Sequence, residues 1–536
     1  MRKHILHITI LLMTAGWLAG CSSTRKLPPG EALYTGATVK IEGDSLRHKE
    51  KKNIKSQLEE LTRPLPNKKI LGIPFKLLAY NLAGHPKREK SIMGWLKYKV
   101  GEPPVLASEL NLEWNEKVLQ STMENQGYFN ATVQGDTILK NKKVNAVYTA
   151  QPGSRYIINE ILFDKDSTVL QKAIRLNATH TLLKTGDPFN LETIKAERER
   201  IDAYLKQHGF YYFDPDYLII QADSTIGNDK VNLYVKVKPG TPKRARRVYS
   251  INEVYIFPGY QLNAAKADTL KTNAEFFEGY YVVDNNKTYK PRMFAQAMQF
   301  NPGDVYNRTD HNQSISRLVN LGVFKFVKNR FDPVENSDSA LLNTYYYLTS
   351  SPKKSLRAEI NANVKSNNLT GSGITIGWRN RNTFRGGELL SINATAGFEI
   401  QYSGQLKGFN TYRGGLETKL TFPRFLLPFV LLNTRSGFVP KTNMLLAYDI
   451  LTKEKLYTMN SFRGEFGYAW KETINKEHQL NPIAINYVQP IRVTPLYDSN
   501  AINNPTLQKA IEKQFIIGSN YNYNYNELTG NNGLKG

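Results

Sequence analysis

The chain is poor in cysteine, in acidic residues and in long apolar runs. Cys21 is the only cysteine among 536 residues, which excludes an internal disulfide and a multi-cysteine metal site. The most apolar stretch, Ile5–Trp17, is shorter than the roughly 20 residues that a membrane-spanning helix needs. Asp and Glu number 47 against 71 Lys and Arg, which leaves a formal charge of +24. The chain is long enough for several domains, at about 100–200 residues each.

The excess of positive charge would attract nucleic acid or an anionic membrane surface. Short basic clusters occur at 49–55, 87–90 and 243–247, and the other Lys and Arg residues are spread along the chain. None of these segments is interleaved with aromatic residues in the manner of a nucleic-acid-binding motif. We therefore predict no nucleic-acid partner and attribute most of the charge to solvated faces.

Recognisable catalytic motifs are absent from the sequence. It contains no His-Glu-x-x-His, no Gly-x-Ser-x-Gly and no phosphate-binding glycine-rich loop. Its eight histidines are scattered and form no cluster with metal-ligand spacing. We expect a protein that is not an enzyme and that uses neither a cofactor nor a metal.

The N-terminus has the order of a secretory signal peptide, predicted at residues 1–20. Arg2 and Lys3 precede the apolar stretch, and small residues then lead to Cys21. The run Leu-Ala-Gly-Cys resembles a bacterial lipobox, whose cysteine becomes the lipidated first residue of the mature protein. Cys21 is therefore the predicted lipid attachment site, followed by a linker at 21–33. Multiple acyl chains would hold it stably in a membrane leaflet.

The residues directly after Cys21, from Ser22 to Lys26, include no acidic side chain. By resemblance to known lipoproteins, we therefore expect neither an acidic inner-membrane retention signal nor an acidic surface-export signal. We expect a lipid-anchored protein of the bacterial outer membrane, with the rest of the chain facing the periplasm and membrane lipid as one partner.

Two motifs recur in the first two thirds of the chain. Tyr156 and Tyr249 each open a strand-like run with the pattern Tyr-x-Ile-Asn-Glu, followed by a β-branched residue. Further on, a Gly-Asp or Gly-Glu turn precedes an amphipathic helix that ends in glycine and an aromatic-rich run. These helices end at Gly127, Gly209 and Gly322. Each glycine fits the left-handed position that follows a helix.

Alternating strands complete each unit, most clearly Val231, Leu233, Val235 and Val237. The resulting order of strand, helices, strand, strand resembles the POTRA domain. We predict three such repeats, at 34–152, 153–240 and 241–352. The segment Pro64–Lys99 interrupts the first repeat and is called the insertion. Three unrelated small α+β domains are the alternative interpretation.

After Pro352 the apolar residues alternate with a period of two, as in Leu356, Ala358, Ile360, Ala362 and Val364. Several such runs in series, rich in aromatics and with charges between them, predict a transmembrane β-barrel. A soluble antiparallel sheet is the alternative. The segment Gly371–Gly373 is predicted as a hairpin connection between two strands.

The fold class predicted for the whole chain is thus α+β repeats of POTRA type (β-α-α-β-β) followed by part of an antiparallel transmembrane β-barrel at 353–536. The run Asn380–Gly387, Asn-Arg-Asn-Thr-Phe-Arg-Gly-Gly, resembles an early barrel hairpin of the BamA/TamA superfamily. Three repeats favour a TamA-like member, and the lipobox points to its lipidated relative, TamL. The roughly 180 residues after Pro352 hold about eight strands, against on the order of sixteen in that superfamily, so we expect a C-terminally truncated chain.

The resemblance implies assistance with insertion, assembly or translocation of proteins at the outer membrane. Nascent outer-membrane proteins would be its clients, captured by β-augmentation on exposed sheet edges, and a TamB-like periplasmic protein its partner. Leu356, Ile360 and Val364 are the candidate barrel seam strand, although they could equally be ordinary barrel exterior. Two alternatives stay open: a two-partner-secretion-type export pore, and a structural lipoprotein that transports nothing.

Overall fold

The computed structural model describes residues 24, 26–43, 46–86, 88–261, 273–335, 339–365, 369–401, 410–427, 436–502, 509 and 511–527. The predicted signal peptide at 1–20 and the predicted lipid attachment site Cys21 lie outside these ranges. Two compact units make up the chain. The first comprises residues up to Asp202 together with Asp214–Thr241, and the second comprises Ala203–Phe213 and the residues from Pro242 onward.

The first repeat consists of β1 (Leu33–Ile41), α1 (His48–Leu61), α2 (Phe75–Ala83), α3 (Ile92–Trp95), α4 (Leu112–Asn125), β2 (Thr132–Lys140) and β3 (Lys143–Gln151). β3 is the middle strand of its sheet, parallel to β1 and antiparallel to β2. Helices α1 and α4 bury Leu58 and Leu119 in the same core as Tyr148 of β3. The insertion supplies the two additional helices, α2 and α3.

The second repeat consists of β4 (Ile157–Phe163), α5 (Val169–Leu176), α6 (Leu191–Gln207), β5 (Leu218–Asp223) and β6 (Lys230–Val237). Its sheet has the same arrangement, with β6 parallel to β4 and antiparallel to β5. Thr168 begins α5 by accepting a hydrogen bond from the Gln171 N–H. Ile158, Ile194 and Leu233 share one buried core.

The third repeat consists of β7 (Ser250–Phe257), β8 (Glu275–Phe277), β9 (Tyr280–Val282), α7 (Pro291–Ala297), α8 (Arg308–Asn320), β10 (Phe324–Pro333) and β11 (Leu341–Ser350). The sheet order is β10-β11-β7-β9-β8. The hairpin β8–β9 pairs with β7, whereas β1 and β4 are end strands of their sheets. The predicted β-α-α-β-β order is confirmed, with this hairpin and the helices of the insertion as additions.

Equivalent hydrogen bonds show why the same motifs recur. The Tyr156 N–H donates to the Gly127 carbonyl at 2.8 Å, and the Tyr249 N–H donates to the Gly209 carbonyl at 2.9 Å. Each bond ties the start of one repeat to the glycine that ends the preceding helix. The predicted left-handed conformation is present, since φ is +95° at Gly127, +91° at Gly209 and +73° at Gly322.

The aromatic residues after these glycines pack into the next repeat along the chain. The Phe129 ring lies 4.8 Å from that of Phe189 in the second repeat. In the same way the Tyr211 ring lies 4.9 Å from that of Tyr306 in the third. The glycine turns the chain so that the following ring leaves its own helix, and burial of that ring joins successive repeats.

Eight strands after the third repeat form one antiparallel sheet in which each strand pairs with the next in sequence. They are β12 (Lys354–Val364), β13 (Leu369–Asn380), β14 (Leu389–Gln401), β15 (Thr411–Phe422), β16 (Lys441–Lys453), β17 (Tyr457–Thr473), β18 (Lys476–Val493) and β19 (Gln514–Tyr525). A short helix, α9 (Pro495–Ala501), precedes β19. Every strand is at least as long as the roughly 9–11 residues with which a tilted strand crosses a bilayer.

Candidate functional site

The strand β12 is an end strand of the eight-stranded sheet. Among the described residues its backbone pairs with β13 alone. The predicted seam residues Leu356, Ile360 and Val364 lie on one face of this strand, with 73%, 76% and 79% of their surface exposed. The structure therefore places all three along a single open edge, with free backbone donors and acceptors beside them. Their role at a barrel seam stays a prediction.

One face of this sheet is apolar and exposed from end to end. The register of the ladders places the even-numbered residues of β12–β17 and the odd-numbered residues of β19 on that face. In β18 the face carries Ile483, Ile485 and Tyr487 and, on the other side of a register shift, the even-numbered His478 and Leu480. Its exposed large side chains include Ile374, Ile376, Phe398, Tyr412, Leu416, Leu446, Ile450, Phe462, Ile483, Phe515 and Ile517. An apolar surface of this extent marks an interaction site for a partner or a membrane.

The opposite face of the sheet is polar and carries ion pairs. Its charged residues pair at 2.7 Å for Arg357–Glu359, 2.7 Å for Lys365–Glu399, 3.6 Å for Arg413–Glu399 and 2.9 Å for Arg463–Glu417. A hollow of about 280 Å³ on this face is lined by several of the same side chains. The sheet thus has one charged, polar face and one apolar face, as does the wall of a barrel whose lumen is polar.

A column of glycines runs along the polar face of β13, and the hairpin predicted at Gly371–Gly373 is wrong. These residues lie inside the strand and pair on both sides. A Cβ on Gly371 would lie 2.5 Å from the Phe398 carbonyl oxygen. On Gly373 or Gly377 it would lie 2.8 Å from an asparagine side-chain oxygen on a neighbouring strand. The glycines make room for neighbouring polar side chains to lie across β13.

The β13–β14 turn, residues 381–388, attaches the sheet to the third repeat. Asn382 is 3% exposed; its side chain donates to the Thr288 carbonyl at 2.9 Å and accepts from the Gly387 N–H at 3.0 Å. Glu388 is 2% exposed and accepts from the Gly386 N–H at 2.8 Å and the Phe384 N–H at 3.2 Å. These two side chains hold the turn in one conformation.

Backbone contacts complete the attachment of the β13–β14 turn. The Lys290 N–H, just before α7, donates to the Arg385 carbonyl at 2.7 Å. Gly387 has φ +79°, and a Cβ there would lie 2.9 Å from the Met293 sulfur. Glycine at this position therefore serves both the turn conformation and the close approach of α7.

A second attachment joins α8 to the segment before β16. The Arg317 guanidinium donates to the Ser436 carbonyl at 3.4 Å and to the Gln296 carbonyl at 3.0 Å. The Asn320 side chain donates to the Gly437 carbonyl at 3.0 Å. Burial lowers the pKa of Arg317 to about 10, which still leaves the guanidinium charged at neutral pH. The third repeat and the sheet are thus held together at two separate places.

A cavity of about 740 Å³ lies between α7, α8, the residues just after β15 and the residue just before β16. Its walls include the acidic residues Glu278, Asp304 and Asp310 and the basic residues Arg317 and Arg424. A lining of this kind holds water and is unlike the mostly apolar pockets that bind small organic ligands.

The repeats present further open edges. β2, β5 and β10 are each end strands of their sheets among the described residues. On β2, Ile138 and Leu139 are 55% and 67% exposed, so apolar side chains stand next to the free edge. An extended peptide could add to such an edge through backbone hydrogen bonds, with little demand on its sequence.

The described part of the chain has no candidate metal site and no candidate membrane-spanning helix. No three His, Cys, Asp or Glu side chains in these ranges come together as metal ligands would. Nor does any helix there have the length and apolarity to cross a membrane. Burial lowers the pKa of His311 to about 4, and its ring contacts the Asn329 amide at 2.8 Å and the Phe331 ring at 4.8 Å. This histidine is a half-buried residue that packs against the core of the third repeat, with its ring neutral at pH 7.

Comparison with known families identifies one repeat directly. A family model described as "POTRA: Surface antigen variable number repeat" matches residues 156–240. Residues 156–240 form a POTRA domain. The match lies within the second predicted repeat and spans β4, α5, α6, β5 and β6. No curated protein matches the chain.

Three solved structures that are similar to this chain are distant from it in sequence. BamA from Haemophilus ducreyi lacking POTRA domains 1–3 is 14% identical, with a TM-score of 0.42, over 70% of this chain and 61% of that one. BamA POTRA3–5 from Haemophilus influenzae is 16% identical, with a TM-score of 0.30, over 60% and 99%. CdiB from Acinetobacter baumannii is 12% identical, with a TM-score of 0.27, over 63% and 62%. This chain covers less than two thirds of the Haemophilus ducreyi and Acinetobacter structures.

Sequence reasoning found part of this site and missed the rest. It singled out β12, which forms the open edge of the sheet, and the motif at 380–387, which forms the attachment to the third repeat. It missed Glu388, Arg317 and Asn320. A Glu directly after Gly-Gly was the available indication for Glu388. The contacts of Arg317 with Ser436 and of Asn320 with Gly437 join residues more than a hundred positions apart and left no local pattern.

Proposed function

We propose that this chain is an outer-membrane protein that assists the insertion, assembly or export of other proteins. The observation that carries the proposal is the eight-stranded sheet, which has an exposed apolar face, a charged opposite face and an open end strand. Only three residues, from Ser351 to Lys353, separate this sheet from the last strand of the third repeat. Client capture and membrane insertion would then take place on directly connected parts of one chain.

Lipid is the medium that suits the exposed face of the sheet. Moving a Leu, Ile, Val or Phe side chain out of water contributes about 1.5–3 kcal/mol. The face carries more than ten such residues that are at least one third exposed. Because these side chains are on average about half exposed, leaving them in water would cost on the order of 10–20 kcal/mol, which is comparable with the whole stability of an ordinary domain, about 5–15 kcal/mol. Embedding the sheet in a bilayer removes this cost while the ion-paired face remains hydrated.

Client recognition would rest on backbone pairing. The open edges of β2, β5 and β10 would receive an extended client segment, and β12 would then offer a further edge within the membrane. Such pairing makes few demands on client sequence, which suits an assembly factor with many nascent outer-membrane proteins as clients. No bond is made or broken in this process, and we propose that the chain is not an enzyme.

The remaining features extend this proposal to location and partners. Cys21 would be acylated and would anchor the N-terminus in the outer membrane, with the repeats in the periplasm. This combination of three repeats with a lipid anchor is the one that resembles lipidated relatives of TamA. A TamB-like periplasmic partner would follow from that resemblance, and no residue is assigned to its binding.

Photo-crosslinking along the sheet tests the proposed function. A photoreactive residue at Ile360 of β12 should crosslink to the strands of a newly synthesised outer-membrane protein during assembly. The matched control is Ile392 of β14, which lies on the same face but has a paired strand on each side. Equal crosslinking of clients at both positions, or none at Ile360 in a chain that is present in the membrane, contradicts the proposal.

Depletion of the protein provides a second test in cells. We expect a general loss of outer-membrane proteins and of envelope integrity. Loss of one exported substrate, with an unchanged outer-membrane protein profile, would instead favour an export pore of the two-partner-secretion type.

A further inference from the structure

The insertion in the first repeat exposes an unusual number of apolar side chains. On α2, Phe75 and Leu82 are 48% and 76% exposed, and the half-buried Leu78 and Ala79 complete a stripe at helical spacing. On and after α3, the exposed residues are Ile92 at 83%, Met93 at 50%, Trp95 at 58% and Tyr98 at 58%. The apolar stripe of α2 therefore faces outward instead of facing a core.

Positive charge accompanies this apolar surface. Between Pro64 and Lys99 the sequence has eight Lys or Arg residues against one acidic residue, Glu89. Exposed members include Lys68, Lys69 and Lys76. Apolar and aromatic residues with surrounding Lys and Arg are the composition of segments that lie in the interface of an anionic bilayer.

Internal contacts hold the parts of the insertion together. The Lys97 ammonium donates to the Gly84 carbonyl at 2.7 Å and lies 4.9 Å from the Tyr80 ring centroid. A Cβ on Gly101 would lie 2.9 Å from the Tyr80 backbone nitrogen, so the chain after α3 passes directly over α2. The exposed residues of α2 and α3 thus belong to one small structured layer.

The N-terminal segment is attached to this same layer. The Lys26 ammonium donates to the Asn81 carbonyl near the end of α2 and lies 3.5 Å from the Cβ position of Gly84. Only four residues lie between Cys21 and Lys26, so the five steps of chain span at most about 18 Å when extended. An acylated Cys21 would therefore bring α2 to within a short distance of the lipid headgroups.

From these observations we propose that the insertion is a membrane-binding surface that lies on an anionic phospholipid bilayer. The apolar side chains of α2 and α3 enter the headgroup region, and Lys68, Lys69 and Lys76 contact lipid phosphates. The argument from chain length rests on the proposed acylation of Cys21, whereas the exposed apolar residues and the charge do not.

Environment-sensitive probes on the full-length chain test this proposal. Cys21→Ser removes the single native thiol, and Leu82→Cys or Ile92→Cys then carries the fluorescent label. The protein is reconstituted into vesicles of phosphatidylcholine alone or of phosphatidylcholine with phosphatidylglycerol in a three-to-one ratio. In the anionic vesicles we expect a blue-shifted emission that brominated acyl chains quench. A label at Ile138→Cys, an exposed apolar site on β2 of the same repeat, should remain in water.

Charge removal tests the electrostatic part. Lys68→Gln, Lys69→Gln and Lys76→Gln together should lower the ratio of lipid-embedded to aqueous probe by about fivefold for each lysine. The matched control replaces three exposed lysines of the second repeat, Lys165, Lys172 and Lys184, and should leave the ratio unchanged.

Three results would overturn the proposal. The first is a probe at Leu82 or Ile92 that stays as aqueous as the one at Ile138 in anionic vesicles. The second is a lipid-embedded probe that does not respond to the lysine substitutions. The third is a probe that is aqueous in vesicles but shielded in isolated native membranes, since this would assign the surface to a protein partner. These experiments use no client protein and no acyl group on Cys21. Their outcome is therefore independent of the proposed assembly function and of Cys21 acylation.

Discussion

Asn382→Ala should weaken the attachment of the sheet to the third repeat. The substitution removes two hydrogen bonds, at 2.9 Å to the Thr288 carbonyl and at 3.0 Å from the Gly387 N–H, at a site that is 3% exposed. Lost hydrogen bonds that leave buried partners unsatisfied cost about 1–3 kcal/mol each. We therefore expect the free energy of unfolding to fall by about 2–6 kcal/mol. Asn382→Asp keeps the acceptor for Gly387, but it buries a carboxylate against the Thr288 carbonyl in the same turn as the buried Glu388, so it should lose at least as much.

Denaturant unfolding of the full chain in detergent micelles measures this change, with tryptophan emission as the signal because Trp378 lies in β13. Limited proteolysis should show earlier cleavage within the β13–β14 turn. Asn522→Ala, at an exposed position of β19, is the control and should change stability little. If Asn382→Ala stays within about 0.5 kcal/mol of the parent chain, the turn does not fasten the sheet and the reasoning fails.

Three further predictions concern other parts of the chain. Gly371→Ala should destabilise the sheet by at least about 1 kcal/mol more than Gly373→Ala in the same unfolding assay, because its Cβ meets a backbone oxygen and not the tip of a side chain; equal effects would contradict the packing argument. Burial lowers the pKa of His311 to about 4, so protonation of the unfolded chain should remove stability as the pH falls from about 6.5 towards 4. His311→Gln should flatten that pH dependence, and an unchanged slope would exclude His311 as its source. Mass spectrometry should find acyl chains on Cys21, and Cys21→Ser should abolish them; an unmodified thiol in the parent chain refutes the anchor.

The repeats were predictable because their determinants are local. A glycine that must adopt φ near +90° ends each helix whatever lies around it, and the ring that follows has to be buried in the next unit. Alternation with a period of two likewise predicts which side chains share a face. The β-α-α-β-β order and the two-faced sheet follow from these patterns.

The errors and omissions have a common origin. Gly371–Gly373 has the composition of a turn, and only the neighbouring strands show that the glycines clear space for polar side chains. The hairpin β8–β9 has strands of three residues each, too short for any period to be visible. The attachments through Glu388 and Arg317 depend on partners that the fold brings together.

The sequence by itself determined the identity and order of the local elements, because helix ends, strand faces and capping glycines depend on a few adjacent residues. Only the tertiary structure decided which edges stay open, which glycines serve packing, and where the third repeat is fastened to the sheet. It also decided that the apolar stripe of the insertion faces outward. These properties depend on contacts between residues far apart in the chain, and periodicity carries no information about such contacts.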